Sequence, residues 1–247
     1  MSAGQVAVLA AVAFAIGSPI LQSMANIGLS PSEFSRSGDQ TLRAAGYAFS
    51  IWGLIYAGLL AFGVYQALPS KRKDPRLAVI RGPALVAIAG IGLWIWASAF
   101  DARWASVAII LVSAACLTFG LHRTARATPR PDLKVRALVC WPLSLLAGWL
   151  TIAGAINILT VLTAEALIGP YPRAAALAGV AAVLAVALIV LRSHGTLLYG
   201  APIAWGLVAV WFAENGSKVD VAVLALVSAV LVAAYAAWQS RPTAKAL

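Results

Sequence analysis

The chain has 247 residues, 62% of them hydrophobic and 11% charged, with a mean hydropathy of +0.90. A water-soluble domain carries about 25% charged residues, so the composition excludes one and describes a polytopic membrane protein. The formal charge of +10 is no nucleic-acid signal, because the basic residues fall in the links between apolar runs.

Those runs are too long and continuous for the alternating strands of an outer-membrane barrel, and the expected fold is an all-α transmembrane bundle. Eight spans are expected, at about 5–27, 45–67, 82–100, 104–122, 138–162, 174–191, 197–213 and 219–238. A seven-span alternative that merges 197–238 has to bury Glu214, Lys218 and Asp220 in the membrane. The whole of 1–247 reads as a single integral membrane domain. The opening MSAGQVAVLA lacks the basic stretch of a cleaved leader.

The first span ends in SPILQSMANIG, where Pro19 can bend the helix and Gln22 and Asn26 stand one turn apart. These two amides are either interfacial or contacts for a ligand. The link 29–45 after them is polar and is the best candidate for a lid. The second span, AGYAFSIWGLIYAGLLAFGVYQ, brings Trp52 and Tyr56 onto one helical side with Phe49 near it. That side either faces lipid or forms an aromatic wall inside the bundle, where the indole N–H needs a partner.

In the third span Trp94 and Trp96 point about 200° apart, so one can meet a pocket while the other meets lipid or a neighbour. Asp101 lies in the hinge that follows, where a salt bridge to Arg103 is its plainest role. The fifth span, CWPLSLLAGWLTIAGAINILTVL, stacks Trp149, Ala153 and Asn157 at one-turn intervals. An amide at that depth faces protein or water, as helix glue or as a ligand contact. The seventh carries Trp205, then Trp211 and Glu214 toward its outer end; the sixth and eighth read as packing helices.

Lysine and arginine sort cleanly. Links 68–81 and 123–137 each hold five basic residues and one acid, and with Arg192, Arg241 and Lys245 they place thirteen basic residues on one side. The other side has five, against six acids. The positive-inside rule then puts both termini in the cytoplasm, and the basic links anchor against anionic headgroups. Reporter fusions at Lys71 and Arg130 should read cytoplasmic and fusions at Ser37 and Glu165 periplasmic. A cytoplasmic signal at Ser37 would overturn this orientation.

With that orientation Tyr47, Trp52, Trp94, Trp211, Gln22, Asn26, Asn157 and Glu214 all approach the outer face. An aromatic cavity opening outward, with a few amides, suits a flat apolar ligand. Several chemistries drop out. His122 and His194 lie near cytoplasmic ends, so no buried pair ligates haem. No lysine lies inside a span to form a retinal Schiff base, and no catalytic motif is present. The chain does not read as an enzyme. Cys116 and Cys140 read as buried thiols.

Three stretches resemble a known family. AGYAFSIWGLIYAGLLAF at 45–62 is similar to the first-helix signature of the TspO/MBR (tryptophan-rich sensory, translocator protein) family, with Phe49, Trp52, Ile55 and Tyr56 in its pattern. GIGLWIWASAF at 90–100 resembles the second-helix segment, with Leu93 where the family has asparagine and Trp94 where it has leucine. GWLTIAGAIN at 148–157 matches a later Trp-x-x-x-Ala-x-x-x-Asn stretch through Trp149, Ala153 and Asn157. The resemblance covers about 45–160 and points to a longer bacterial member of the inner membrane.

It implies a helical bundle, commonly dimeric, that binds porphyrin-like tetrapyrroles or sterol-like molecules. Such a tetrapyrrole would be held without histidine ligation, and the implied role is sensory or in ligand transport. The expected ligand surface is Tyr47, Trp52, Tyr56, Trp94, Trp149, Asn157 and Trp211, with Gln22, Asn26, Asp101 and Glu214 as outer polar contacts. Two other functions remain open, a permease for a small apolar solute and a structural or assembly subunit of a larger membrane complex.

Overall fold

The computed structural model describes residues 1–126, 132–194 and 196–240; Arg130, Arg241 and Lys245 lie outside them. Its helices are α1 (Ala3–Met24), a short α2 (Pro31–Arg36), α3 (Ile51–Ala67), α4 (Pro75–Ala99), α5 (Arg103–Ala125), one turn α6 (Leu133–Val135), α7 (Trp141–Ala164), α8 (Pro172–His194), α9 (Leu197–Glu214) and α10 (Val219–Gln239). A 3-10 turn, Gly46–Ser50, leads into α3, and a π turn, Arg136–Cys140, joins α6 to α7. Among the described residues eight helices are long and apolar enough to cross a bilayer. The protein is an all-α polytopic bundle.

The third span starts at Pro75, earlier than its apolar core. Asp74 caps it by accepting from the Arg76 N–H at 3.1 Å, with Pro75 in the first turn, where a missing N–H costs nothing. Arg81 then sits inside the helix, and its guanidinium finds Gln66 Oε1 (3.2 Å) and the Lys71 carbonyl (2.6 Å). The Gln5 and Gln66 amides donate to each other's backbone carbonyls at 2.8 and 3.0 Å. This buried cluster ties α1, α3 and α4 together, and each amide offsets its own desolvation.

It also fixes which ends lie together. The start of α1 meets the end of α3 at the end carrying the basic links, called here the basic end. At the opposite end Arg103 reaches Glu165 (3.0 Å) and Arg173 reaches Asp220 (2.8 Å).

Helix α7 is the axis of the bundle. In its most apolar window 67% of residues are buried, against 33–50% in the other seven spans. It packs on α3, α5, α8 and α9. Gly148 permits the closest of these approaches, because a Cβ there would overlap the Tyr199 carbonyl oxygen and crowd Pro202 at 2.7 Å. Any larger residue must separate α7 from α9.

The polar link 29–45, the candidate lid, is folded. Residues 25–50 leave α1 through Asn26 and Gly28, both at positive φ (49° and 62°), and cross the end of the bundle. Gly28 has a second constraint, since its Cβ would overlap the Ala99 carbonyl oxygen. Leu29 N–H donates to that carbonyl at 2.9 Å. Ser30 and Glu33 form a capping box on α2, which turns Phe34 inward.

Candidate functional site

The lid closes over a cavity between α3, α4, α5 and α7. Its walls include Trp52, Trp94, Trp149 and Asn157, with Phe34 and Phe49 brought from the lid and the 3-10 turn. No charged side chain is among the described lining residues. The rings interlock edge to face: Trp52 against Trp149 (centroids 6.2 Å apart, 81° between planes) and Phe34 against Trp94 (6.2 Å, 88°). Such arrangements place ring edges on ring faces, the favoured quadrupole alignment.

The space inside is about 60 Å³, within an envelope of about 700 Å³ that counts the open mouth and the crevices between side chains. The smaller figure decides what fits, and it corresponds to a few water molecules. A planar ligand of tetrapyrrole size therefore requires the walls of the cavity to part.

Two polar groups matter inside this wall. Asn157 Oδ1 accepts from Trp94 Nε1 at 3.3 Å, and its Nδ2 donates to Ser106 Oγ at 3.0 Å. The amide thus bridges α4, α5 and α7 while facing the cavity. Trp149 is only 5% exposed and its Nε1 has no hydrogen-bond partner among the described residues. A buried indole N–H usually finds one.

Asn157→Ala should lower the melting temperature by a few degrees, since transmembrane polar contacts average about 0.6 kcal/mol each and two are lost. It should also free the Trp94 indole to move and weaken apolar ligands further. A melting curve with a parallel binding titration checks both. Normal binding with reduced stability would leave Asn157 as helix glue alone.

Other residues expected at the site lie elsewhere. Tyr56 stands behind the wall, stacked on Trp52 (5.3 Å, 24°). Tyr47 packs edge-on against Trp205 (5.0 Å) and Phe212 (6.0 Å), because the 3-10 turn rotates it toward α9. Trp211 contacts Phe212 on the same helix (6.5 Å). Gln22 donates to the Ile27 and Leu29 carbonyls at 2.8 and 3.3 Å, closing the end of α1. Asn26 supplies the left-handed turn. Asp101 pairs with Arg103 at 3.0 Å. Trp96 donates to Ser18 on α1 at 3.1 Å, which leaves the cavity to Trp94.

Glu214 is fully buried and clasps the lid. Its Oε1 accepts the Arg43 N–H at 2.7 Å and lies 3.6 Å from the Arg43 guanidinium and 3.3 Å from Lys218 Nζ. Ser217 Oγ donates to its other oxygen at 2.9 Å. Lys218 reaches the Thr41 carbonyl at 2.8 Å, Ala45 N–H donates to the Ala209 carbonyl at 3.0 Å, and Trp205 Nε1 donates to the Ala48 carbonyl at 3.2 Å. The lid is stitched to α9 along its second half, next to the cavity residues Ala44 and Ala48.

Phe34 was not singled out in the sequence. The signal was available: Ser30-x-x-Glu33 is a capping-box pattern, and a capped turn inside a lid has to place its one aromatic residue somewhere.

An eight-span helical bundle with an uncharged aromatic cavity beside its central helix defines a polytopic membrane protein. The chain belongs to the TSPO-like protein family, whose model matches residues 5–238. The match extends beyond 45–160 on both sides, so α1 and α8 to α10 fall within the family's extent. Comparison with curated proteins and with solved structures gives no match.

Proposed function

We propose that this protein binds a hydrophobic, planar ligand of the porphyrin-like or sterol-like class in the aromatic cavity, as a sensor or carrier in a bacterial inner membrane. The observation that carries this reading is the wall itself: three tryptophans and two phenylalanines around an uncharged space closed by a separate, pinned segment. Aromatic faces suit a flat apolar molecule, and an uncharged lining disfavours an ion. The unpartnered Trp149 N–H favours a ligand with a hydrogen-bond acceptor. The aromatic lining would grip such a ligand by its faces.

The test is titration with protoporphyrin in mild detergent, following tryptophan fluorescence, together with the absorbance of the protein as purified. Saturable quenching or a retained pigment supports the proposal. Quenching that rises linearly without saturation counts against it.

The small volume favours one second reading, a permease for a small apolar solute. Accumulation of such a solute in proteoliposomes, without saturable porphyrin quenching, would support it.

A further inference from the structure

A second concave feature lies far from the cavity, on the outside of α3 at the basic end. Ala57, Leu60, Ala61, Val64, Tyr65 and Leu68 form one stripe of α3, and Leu138 of the π turn closes the far wall. The groove is shallow and open along its length toward the lipid side. Leu60, Val64 and Leu68 are 54%, 56% and 43% exposed, as expected of a lipid-facing surface. Ala57 and Ala61 stand one turn apart, so short side chains make the floor between larger ones.

Its length and its charge both name an occupant. At 1.5 Å per residue the stripe from Ala57 to Leu68 rises about 16 Å, half of the roughly 30 Å hydrocarbon core. That is the depth of one leaflet, and so of one acyl chain. The headgroup end of the groove is strongly basic, with six Lys and Arg against two acids over 71–76 and 132–136.

Lys71 sits over the Tyr65 ring, 5.0 Å from its centroid, at the end of the stripe. The Tyr65 hydroxyl, hydrogen-bonded to it, raises the Lys71 pKa. Lys134 is exposed and lies four residues before Leu138, one turn away on the same side. The two links meet here, since Arg76 reaches both Asp74 (3.8 Å) and Asp132 (4.0 Å). Lys71 also pairs with Asp74 at 3.6 Å, while Arg72, Lys73 and Lys134 are exposed and add to the positive charge of the two links.

We propose that this groove is a binding site for one anionic phospholipid, its acyl chain along α3 from Leu68 to Ala57 and its phosphate between Lys71 and Lys134. The site is independent of the aromatic cavity and of any ligand held there. A neutral phospholipid can fill the same groove but gains nothing from the two ammonium groups, each worth roughly a fivefold gain in affinity near an anionic surface.

The test is native mass spectrometry of the full chain released from nanodiscs containing equal amounts of palmitoyl-oleoyl phosphatidylglycerol and the matching phosphatidylcholine. One retained phosphatidylglycerol per chain is expected, favoured over phosphatidylcholine by about tenfold or more. The double variant Lys71→Gln/Lys134→Gln should bring the two lipids to near parity. Ala61→Phe, which fills the floor from the lipid side, should lower retention of both lipids and leave the melting temperature unchanged. Equal retention of the two lipids by the parent would overturn the proposal. So would retention of phosphatidylglycerol by Ala61→Phe equal to that of the parent, since diffuse headgroup attraction needs no groove.

Discussion

Glu214→Gln should release the lid while leaving the bundle folded. The substitution keeps the size of the side chain and removes the buried carboxylate that pairs with Arg43 and Lys218, leaving Asp39 as the other negative charge near them. Breaking a buried pair by neutralising one member costs about 3–5 kcal/mol. Arg43 and Lys218 keep 39% and 18% of their side chains exposed and can turn toward water, so about 3 kcal/mol, the low end of that range, is expected.

That loss falls on the lid, because Glu214 accepts the Arg43 backbone N–H itself. Hydrogen exchange of the Arg43 and Ala45 amides should accelerate by about a hundredfold, with little change in the core of α7. Apolar probes should enter and leave the cavity faster. Arg173→Gln is the control: it breaks the exposed Arg173–Asp220 pair at the same end, worth about 0–1 kcal/mol, and should leave lid exchange unchanged. Unchanged exchange at Arg43 in Glu214→Gln, with a lower melting temperature, would make Glu214 a support of α9 and not a clasp.

The contrast between Glu214 and Trp149 shows which features the sequence carries. Helical periodicity is local, so the alignment of Trp149, Ala153 and Asn157 on one face of α7, and the opposed directions of Trp94 and Trp96, could be read from spacing alone. The eight apolar runs were legible for the same reason, since a bilayer core demands uninterrupted hydrophobic length. The start of α4 lies before its apolar run, where Asp74 and Pro75 cap the helix and Arg81 is held by Gln66 and the Lys71 carbonyl, so hydropathy alone does not reach it.

Depth was legible too, but depth does not say what a residue meets. Glu214 and Tyr47 lie at the end of the bundle opposite the basic links. Yet Glu214 serves the lid and Tyr47 packs on α9, because the 3-10 turn and the Ala45–Ala209 hydrogen bond rotate that entry to α3. Phe34 reaches Trp94 only because α2 folds back over the bundle. No periodic pattern encodes such a contact, although the capping box marks the turn that makes it.

Trp52→Leu should weaken binding of protoporphyrin by about tenfold or more. Trp52 lines the cavity, stacks on Tyr56 and meets the edge of Trp149, so it couples two further rings to the wall. Leucine retains apolar character and helix propensity, and the half-buried position leaves room for it, so α3 should insert and the bundle assemble. What is lost is a flat aromatic face, worth about 0.5–1.5 kcal/mol beyond its buried area, along with the ordering of Tyr56 and Trp149. The upper part of that range reaches the roughly 1.4 kcal/mol of a tenfold change. Trp238→Leu is the matched control: Trp238 is 59% exposed near the end of α10 and touches Tyr235, so only anchoring at the basic end should change. Quenching constants from a protoporphyrin titration separate the cases. Equal constants for the parent and both variants would remove Trp52 from the ligand surface, and a tenfold loss in Trp52→Leu alone would place the ligand against it.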